Sequence, residues 1–537
     1  MLRIIELLRD DPDFPKARML FMVTISGCAG GAILAAINVA TEQISLHNPD
    51  PQHFFITLLL LALMVYPQHY SLAQITLSVE DVLLKLRLRV GNRLRQADLR
   101  FIEEIGGTTI YAALTKDTQI VSQSALSMTL LARSALVVLV SLIYLGWISL
   151  FSLAATLVFI GAYAFIHAQL IHPNLVRKFD SSLAGEQVFF GRLQALLGGF
   201  KEAKQNRRKN DNLFEQYGRS AADISTRKRG INAEITKSYT IGYSAFYLLL
   251  IVLVVVIPGM RSELTVHVFK ITAIVIYIIS ELDPWLTWIP EITRANAAVE
   301  DLCHLEQILN ESPHADPPRP PKPLTDFTAI TLDGVEFRYP DRSGQKPFPV
   351  GPIDLTLAKG ELLFIVGGNG SGKTTLLKLL AGLYYPRAGG IEVDGRPILA
   401  ADYPSYRELF SAVFPDFYLF DRLHGTPDIE PARVEAWLKT MELTGKTRFA
   451  EGGFTQQNLS TGQRKRLAFI AAVLEDKPIL IVDEFAADQD PAFRERFYRE
   501  ILPSLKNQGK TLVAVTHDDR YFDLADRVLT MADGHLR

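Results

Sequence analysis

The stretch GGNGSGKT, residues 367–374, decides the fold of the second half of this 537-residue chain. It fits the pattern GxxxxGK[ST], a strand-to-helix turn whose glycines let backbone N–H groups close around phosphate. Lys373 is expected to reach the β and γ phosphates, and the Thr374 hydroxyl is expected to ligate Mg²⁺. The stretch therefore predicts a site for ATP or GTP. The residues predicted to bind the nucleotide here are Gly367, Gly368, Asn369, Gly370, Ser371, Gly372, Lys373, Thr374 and Thr375.

A second buried strand, ILIVDE at 479–484, carries two adjacent carboxylates to the edge of the same predicted sheet. We expect Asp483 to hold the Mg²⁺ shell with Thr374, and Glu484 to orient and deprotonate the attacking water. An apolar run before Asp-Glu is by itself a common strand end. Its position downstream of a phosphate loop favours the catalytic interpretation, with Lys373 as a further catalytic group.

The first half of the chain is strongly apolar. Hydrophobic residues make up 48% of the sequence and the mean hydropathy is +0.14, which is unusual for a soluble enzyme. Runs near the length that crosses bilayer hydrocarbon lie at 17–40, 54–79, 131–150, 151–171, 239–258 and 264–289. We predict a six-helix transmembrane α domain in a lipid bilayer, with the first run as an uncleaved span.

Charge and cysteine content exclude other classes of protein. The net charge of −2 gives no global basic field, so nucleic acid is not an expected partner. The two cysteines, Cys28 and Cys303, indicate neither a disulfide framework nor a zinc site.

Lysine and arginine are distributed unequally between the predicted loops. Residues 41–53 carry none, whereas residues 80–122 carry seven and residues 172–235 carry twelve. Because basic loops stay in the cytoplasm, both termini are predicted to be cytoplasmic. A solvated helix face explains these basic runs better than RNA or lipid binding does. Both basic segments are expected to continue helices well beyond the membrane.

A proline-rich stretch, SPHADPPRPPKP at 312–323, separates the two halves. Proline interrupts helices and favours extended linkers. Beyond it, short apolar strand-like runs alternate with helical ones, which is the pattern of an α/β sheet. The predicted organisation is a transmembrane domain at 1–310, a linker at 311–325 and an α/β P-loop ATPase domain at 326–537.

A third motif, LSTGQ, lies at 459–463. The three motifs in this order are far more specific for a nucleotide-binding family than any one of them alone. With the phosphate loop and ILIVDE, LSTGQ resembles the ATP-binding cassette (ABC) transporters over nearly the whole chain. The resemblance implies that Tyr339 stacks on adenine, that Asp490 is the aspartate of the loop after ILIVDE, and that His517 senses the γ phosphate. A lone tyrosine or histidine would more often be structural, but the order of the motifs favours these roles.

The resemblance also implies that each ATP lies between two subunits. The signature residues Ser460, Thr461, Gly462 and Gln463, at the start of a helix, would cap the γ phosphate held by a second cassette. One chain carries one phosphate loop and one signature, so two copies would form two composite sites. A homodimer is therefore the predicted assembly, and a heterodimer with a related chain is the alternative.

Two positions depart from the family pattern. Thr461 stands at the third position of LSGGQ, and Pro415 stands where a glutamine is expected in SAVFPDFYLF, residues 411–420. Proline offers neither a Mg²⁺ ligand nor an amide donor. The metal and coupling role of that glutamine is thus lost or moved to Asp416, for which a solvated loop position is the alternative.

The helical half resembles the exporter branch of the family, with segments 105–117 and 198–210 similar to the tips that dock on the cassettes. Cassette residues most resemble the cyclic-peptide and siderophore group, of the syringomycin and pyoverdine-precursor type, in the bacterial inner membrane. Candidate cavity residues are Gln68, His69, His167, Gln169, Glu281 and Asp283, since polar groups at such depth are costly. A solvated cytoplasmic position is an equal alternative for Glu281 and Asp283, and Arg133 is expected to snorkel.

Three functions follow from these patterns. The favoured one is ATP-driven export of a cyclic peptide, siderophore or siderophore precursor by a homodimer, with ATP and Mg²⁺ as cofactors. A lipid flippase is the second. The third is a membrane-anchored ATPase that acts as a sensor without moving any cargo.

Overall fold

The computed structural model describes residues 3–45, 51–256, 267–317, 321–339, 348–425 and 429–537. The chain divides into two compact units. The first unit comprises Met1–Leu88 and Tyr111–Leu305, and the second comprises Arg89–Ile110 and Glu306–Arg537. A short segment of the helical half therefore packs with the C-terminal half. The domain limits proposed from the sequence remain a prediction.

The described residues before 311 are helical with short connections. In chain order the helices are α1 (Arg3–Asp10), α2 (Lys16–Ser45), α3 (Gln52–Gln96), α4 (Leu99–Ile105), α5 (Gly107–Ala112), α6 (Thr118–Ile148), α7 (Leu150–Ile166), α8 (His172–Gly198), α9 (Phe200–Gln205), α10 (Arg207–Ile251), α11 (Val268–Leu282) and α12 (Trp285–Asn310). Short π-helical segments at Ala113–Asp117, His167–Ile171 and Val252–Val256 continue α5, α7 and α10.

Five helical stretches among the described residues are long and apolar enough to cross a membrane. They are Lys16–Ile44, Gln52–Gln96, Thr109–Ile148, Leu150–Phe179 and Arg207–Val256. Each overlaps one of the first five predicted spans. The sixth predicted span, 264–289, begins outside the described residues, and its described part contains the 15-residue helix α11.

Two helices are much longer than a bilayer requires. α3 and α10 have 45 residues each. At a rise of 1.5 Å per residue this is about 68 Å, roughly twice the thickness of bilayer hydrocarbon. The prediction that helices continue beyond the apolar spans is confirmed.

Small residues bring α2 and α6 close together. A Cβ atom added at Gly27 would lie 2.5 Å from Cβ of Leu136, and one added at Gly31 would lie 2.5 Å from Cβ of Val140. Helices in lipid associate through close backbone approach, because the hydrophobic effect gives no drive between them. The spacing of these two glycines places both on one face of α2.

The C-terminal unit contains two main sheets. Its strands are β1 (Ala329–Arg338), β2 (Pro349–Ala358), β3 (Leu362–Val366), β4 (Ala388–Val393), β5 (Arg396–Pro397), β6 (Phe410–Val413), β7 (Phe449–Ala450), β8 (Gly453–Phe454), β9 (Ile479–Asp483), β10 (Thr511–Val515), β11 (Arg527–Ala532) and β12 (His535–Leu536). Its helices are α13 (Lys373–Leu380), α14 (Tyr403–Arg407), α15 (Pro431–Thr440), α16 (Thr461–Leu474), α17 (Pro491–Arg496) and α18 (Leu502–Asn507).

The larger sheet has the strand order β12-β11-β3-β10-β9-β6. Strands β11, β3, β10, β9 and β6 are parallel, and β12 is an antiparallel edge. The smaller sheet, β2-β1-β4-β5, is antiparallel. The predicted α/β fold of the second half is confirmed.

Alternate residues of β3 pack into two separate hydrophobic cores, because successive side chains of a strand point to opposite faces of the sheet. Leu363 and Ile365 pack in one cluster with residues of α13. Leu362 and Phe364 pack in the other with residues of α16. The sheet therefore holds the phosphate-loop helix on one face and the signature helix on the other.

Candidate nucleotide-binding site

The predicted nucleotide residues meet at one edge of the larger sheet. The phosphate loop follows β3, His517 follows β10, and Glu484 follows β9. These three strands are adjacent and parallel, in the order β3-β10-β9. Carboxyl ends of parallel strands share one sheet edge, which is where α/β proteins bind ligands. Residues separated by more than a hundred positions in the chain thus share one site.

The phosphate loop is closed around the side chain of Lys373. Its Nζ donates to the carbonyl oxygens of Gly367 and Gly368 at 2.9 and 2.8 Å. Gly367 has φ 145°, and a Cβ there would lie 2.1 Å from the carbonyl oxygen of Met531, so a side chain cannot be accommodated. The Ser371 hydroxyl oxygen is buried and has no hydrogen-bond partner within the described structure. These features suit a loop that receives phosphate oxygens.

Thr374 and Asp483 form the predicted metal pair. The Thr374 hydroxyl donates to Oδ2 of Asp483 at 2.7 Å. The other oxygen, Oδ1, is buried and unpartnered in the described residues. Burial raises the pKa of Asp483, and the Thr374 hydroxyl opposes that rise. An orphaned buried carboxylate oxygen beside a hydroxyl fits Mg²⁺, which takes few protein ligands and completes its shell with phosphate and water.

Glu484 and His517 face each other beyond the metal pair. Nε2 of His517 lies 3.1 Å from Oε1 of Glu484, and both side chains are partly exposed. The amide of Glu484 donates to the carbonyl of Val515 at 3.2 Å, which ties it to β10. A carboxylate held by an imidazole at the mouth of the site can orient a water molecule and accept its proton.

Tyr339 lies directly after β1, with 38% of its surface exposed. Its hydroxyl is 2.9 Å from the Thr375 hydroxyl, and its ring packs edge-on against Phe337 at 5.1 Å. A partly exposed aromatic ring beside the phosphate-loop helix is suited to stacking on a base. Its adenine role remains a prediction.

The signature residues lie at the start of α16, away from these groups in the chain. Ser460 and Gln463 form a reciprocal capping box at the helix N-terminus. The side chains of Ser460 and Thr461 are exposed. The hydrogen bonds described for the Ser460 side chain and amide are to Gln463 of its own helix. An exposed helix N-terminus is available for an anion from a second cassette.

Asp490 has structural partners within its own subunit. Oδ1 accepts the amide hydrogen of Phe493 at 2.9 Å, and Oδ2 pairs with Arg466 at 2.8 Å. The Phe493 amide and the Arg466 guanidinium hold the pKa of Asp490 below its usual range. The aspartate therefore begins α17 and connects it to the signature helix. Its contact with nucleotide remains a prediction.

Pro415 and Asp416 form an exposed turn directly after β6, beside β9. This is the same sheet edge as the metal pair, so the segment resembling the glutamine loop is in the expected place. The metal and coupling role suggested for Asp416 stays a prediction.

Sequence reasoning missed a cluster that joins α4 to the cassette. Oε2 of Glu103 accepts from the Tyr384 hydroxyl at 2.7 Å, and Oε1 accepts from Nζ of Lys378 at 3.0 Å. Lys378 lies on α13, the helix that begins with Lys373. Burial and the Glu103 carboxylate raise the pKa of Tyr384 far above its usual range, so this phenol stays protonated and donates. These contacts lie at the N-terminal side of the segment 105–117 that resembled a docking tip.

An aromatic stack extends this cluster toward Tyr339. Tyr384 stacks on Phe337 with ring centroids 4.9 Å apart, and Phe337 touches Tyr339. The Arg100 guanidinium of α4 lies 5.4 Å from the centre of the Phe337 ring. We call Arg100, Glu103, Phe337, Lys378 and Tyr384 the docking cluster. Its members come from three separate segments of the chain, so no local motif could have revealed it.

The proline-rich linker also packs on this unit. Both oxygens of Asp316 accept from the Arg407 guanidinium at 2.5 Å, and the Asp316 amide donates to the Gln96 carbonyl at 2.7 Å. His314 stacks on Tyr385 with centroids 4.1 Å apart. The described part of the linker is therefore an ordered connection.

Two acidic side chains of the helical unit have protein partners. Arg133 and Glu281 form an ion pair of 3.6 Å, with side chains 14% and 15% exposed. The prediction that Arg133 snorkels is therefore wrong, because a carboxylate is available inside the bundle. Asp283 accepts from the Tyr243 hydroxyl at 2.6 Å. These two acidic groups are held by protein partners.

The other predicted cavity residues differ in exposure. His69 and Gln169 are exposed, whereas Gln68 and His167 are half-buried. The His167 ring lies 6.1 Å from the Tyr163 ring.

Comparison with known proteins identifies the family. The family described as "ABC transporter" matches residues 350–487. The chain is 33% identical over 536 residues to the ATP-binding protein SyrD of Pseudomonas syringae pv. syringae, covering 95% of this chain and 91% of that protein. This chain is an ABC transporter. As a member of the family it has a general ATPase activity coupled to transport, and it is a multi-pass membrane protein.

The chain also matches a second named protein and a solved structure. The transporter is 27% identical over 522 residues to an ATP-dependent lipid A-core flippase of Burkholderia orbicola (strain AU 1054), covering 91% of this chain and 84% of that protein. A solved structure of a bacterial Atm1-family ABC exporter with ATP bound superposes with a TM-score of 0.73 at 18% identity. That match covers 98% of this chain and 95% of the other, so the predicted fold class is confirmed.

Proposed function

We propose that this ABC transporter is a homodimer of the bacterial inner membrane, with both termini in the cytoplasm. It cleaves ATP to export a cyclic peptide, siderophore or siderophore precursor. The observation that carries the proposal is the convergence of Thr374–Asp483 and Glu484–His517 at one sheet edge, on a chain whose other half has five helices of membrane-spanning length among its described residues.

Each side chain at the edge has a distinct chemical task. Lys373, the loop amides and α13 would neutralise the phosphates, and Thr374 with Asp483 would hold Mg²⁺, which supplies charge neutralisation between them. Glu484 would orient and deprotonate the attacking water, and His517 would hold Glu484 and contact the γ phosphate. Ser460 and the amides of α16 would cap the same phosphate from the second subunit.

The docking cluster gives a route from nucleotide to membrane helices. Lys378 shares a helix with Lys373, and Glu103 binds Lys378 from α4, which follows the long helix α3. A shift of α13 on ATP binding would therefore act directly on α4. This contact supports a coupled transporter, because it joins the phosphate-loop helix to the segment that directly follows the membrane-length helix α3.

The cargo class is supported by the cassette residues and by sequence identity to named proteins. The chain has 33% sequence identity to SyrD and 27% to the lipid A-core flippase, and both matches cover most of this chain. The cassette segments resemble the cyclic-peptide and siderophore group. A lipid substrate is the second candidate, because a named flippase matches over nearly the same length.

Uptake into inside-out vesicles tests the proposal and separates the candidates. A fluorescent cyclic peptide, an iron-free siderophore and a fluorescent phospholipid would be offered in parallel, with and without ATP. We expect ATP-dependent accumulation of the peptide or siderophore, and its loss in Glu484→Gln. Glu495→Gln, which changes an exposed carboxylate on α17, is the matched control.

Two results would contradict the proposal. ATP-dependent movement of the phospholipid alone would make the protein a flippase. Intact ATP hydrolysis without movement of any of the three probes would favour the sensor.

A further inference from the structure

Lys465 is a buried lysine in the signature helix α16. It lies five residues after Ser460, and only 7% of its side chain is exposed. Burying an ammonium group is costly unless it is paired. Both of its partners belong to the segment after β9: Nζ donates to the Glu484 carbonyl at 3.1 Å and pairs with Oδ2 of Asp488 at 2.5 Å. Lys465 therefore joins the signature helix to the segment that carries the proposed base.

The backbone at Glu484 needs such support. Its φ and ψ are 48° and 37°, a left-handed conformation that residues other than glycine rarely adopt. Such a residue persists only where the surrounding structure determines it. The amide of Glu484 is held by Val515, while its carbonyl accepts from Lys465 and, at 3.4 Å, from the Ala487 amide. Lys465 thus controls the peptide group that sets the direction of the Glu484 side chain.

The same two segments meet at a second point. The Gln489 side-chain amide donates to the Gly462 carbonyl at 3.1 Å, and its oxygen accepts from Nε of Arg466 at 2.7 Å. A Cβ at Gly462 would lie 2.7 Å from the Asp488 carbonyl oxygen, so the backbones are in close approach. The start of α16 and residues 484–490 are therefore held together as one body.

We propose that Lys465 is a positioning residue for Glu484, and that it ties the signature of each subunit to that subunit's own base. The inference rests on the proposed function, in which the signature of one copy caps the ATP held by the other. ATP at one composite site presses on the start of α16, and the contacts of Lys465 and Gln489 carry that displacement to Glu484 in the second site. Occupancy of one site thus sets the geometry of the other.

Lys465→Met is the informative variant. Methionine suits the buried position, and Asp488 stays hydrated because 45% of its side chain is exposed. Since a displaced catalytic group loses rate rather than ground-state binding, we expect kcat for ATP to fall by about 10- to 100-fold while KM changes less than about 3-fold. The Hill coefficient for ATP should fall toward unity. Lys465→Arg, which keeps the charge, should restore most of kcat.

Lys477→Met is the matched control. Lys477 pairs with Glu408 at the opposite end of β9, and its loss should leave kcat and the Hill coefficient unchanged. The assays use full-length protein in lipid nanodiscs, with ATP binding and thermal unfolding measured on the same samples.

The outcomes separate this inference from the proposed function. A wild-type kcat in Lys465→Met overturns the positioning role. A loss of ATP binding and of thermal stability that Lys465→Arg does not rescue overturns it too, in favour of a structural lysine. A lowered kcat with an unchanged Hill coefficient overturns the link between sites. Absence of ATPase activity in the wild type would instead contradict the proposed function.

Discussion

The sheet edge of the cassette and the interior of the helical unit treat polar side chains differently. At the sheet edge, the Ser371 hydroxyl and one oxygen of Asp483 are buried with no hydrogen-bond partner among the described residues. In the helical unit, Glu281 is bound by Arg133 and Asp283 by Tyr243. Buried polar atoms without a partner among the described residues occur there too, such as Asn38 Nδ2, Ser141 Oγ and Glu234 Oε2, but they lie on the separate helices α2, α6 and α10. The unpartnered atoms of the sheet edge lie in and beside the phosphate loop, so they mark a place prepared for a ligand. The nucleotide site is thus evident in one chain, whereas no motif assigns the unpartnered atoms of the helical unit to a cargo.

This difference gives each region its own expected response to mutation. Changes at the sheet edge should act on ATP chemistry with little loss of stability. Changes in the helical unit should act on packing first.

Asp483→Asn should have the largest effect. It removes the charge that we propose holds Mg²⁺ without changing the shape of the side chain, so ATP hydrolysis should fall by about 100-fold. The thermal stability of the ligand-free protein should be unchanged or higher, because a buried carboxylate is replaced by a neutral amide. Differential scanning fluorimetry with ATP, with and without EDTA, measures both. A variant that is still stabilised by Mg²⁺ with ATP would contradict the metal assignment.

Gly31→Val should show the opposite response. A side chain there meets Val140 at 2.5 Å, so α2 and α6 must separate, at a cost of about 2 kcal/mol. The midpoint temperature of unfolding in detergent should fall, while the affinity of the cassette for ATP should not change. Gly161→Val is the matched control, because its added Cβ meets nothing within 4 Å. Equal shifts in the two variants would contradict the close contact.

Glu103→Gln tests the docking cluster. It removes the charge that binds Lys378 and accepts from Tyr384, so cargo stimulation of ATPase activity should fall by about 5-fold. Basal hydrolysis should change little, since Glu103 does not belong to the nucleotide site. The measurement is ATPase activity in nanodiscs with and without cargo. Unchanged stimulation would remove the docking cluster from the coupling route.

Thr461→Gly should have the smallest effect. It restores the usual third residue of the signature at an exposed position. Substitutions at exposed positions change stability by about 0.5 kcal/mol or less, and we expect the ATPase rate to change by about 2-fold. Steady-state ATPase kinetics measure the change. A gain of tenfold or more would mean that Thr461 tunes hydrolysis.

Local motifs explain why the sheet edge could be predicted from the sequence. GGNGSGKT and ILIVDE each need only a strand and its following turn, so Lys373, Thr374 and Asp483 could be assigned before their contacts were seen. The alternation of short apolar runs with helical ones likewise predicted the α/β sheet. The long apolar runs predicted the spans, five of which overlap helices of membrane-crossing length.

Long-range partners explain what could not be predicted. Glu103 and Lys378 are 275 residues apart, and Arg133 and Glu281 meet only when α6 packs beside α11. The role of Lys465 depends on a left-handed residue at Glu484, which no sequence pattern indicates. Asp490 was predicted from resemblance alone, and its partners within one subunit could not be read from the motif.

The central claim is that two copies share each ATP, and mixed dimers test it most directly. One copy would carry Lys373→Ala in its phosphate loop and the other Ser460→Arg in its signature, so each homodimer has two damaged sites. A dimer of one copy of each concentrates both changes in one composite site and leaves the other intact. We predict that both homodimers are inactive and that purified mixed dimers regain ATP hydrolysis. Mixed dimers as inactive as the homodimers would contradict the account.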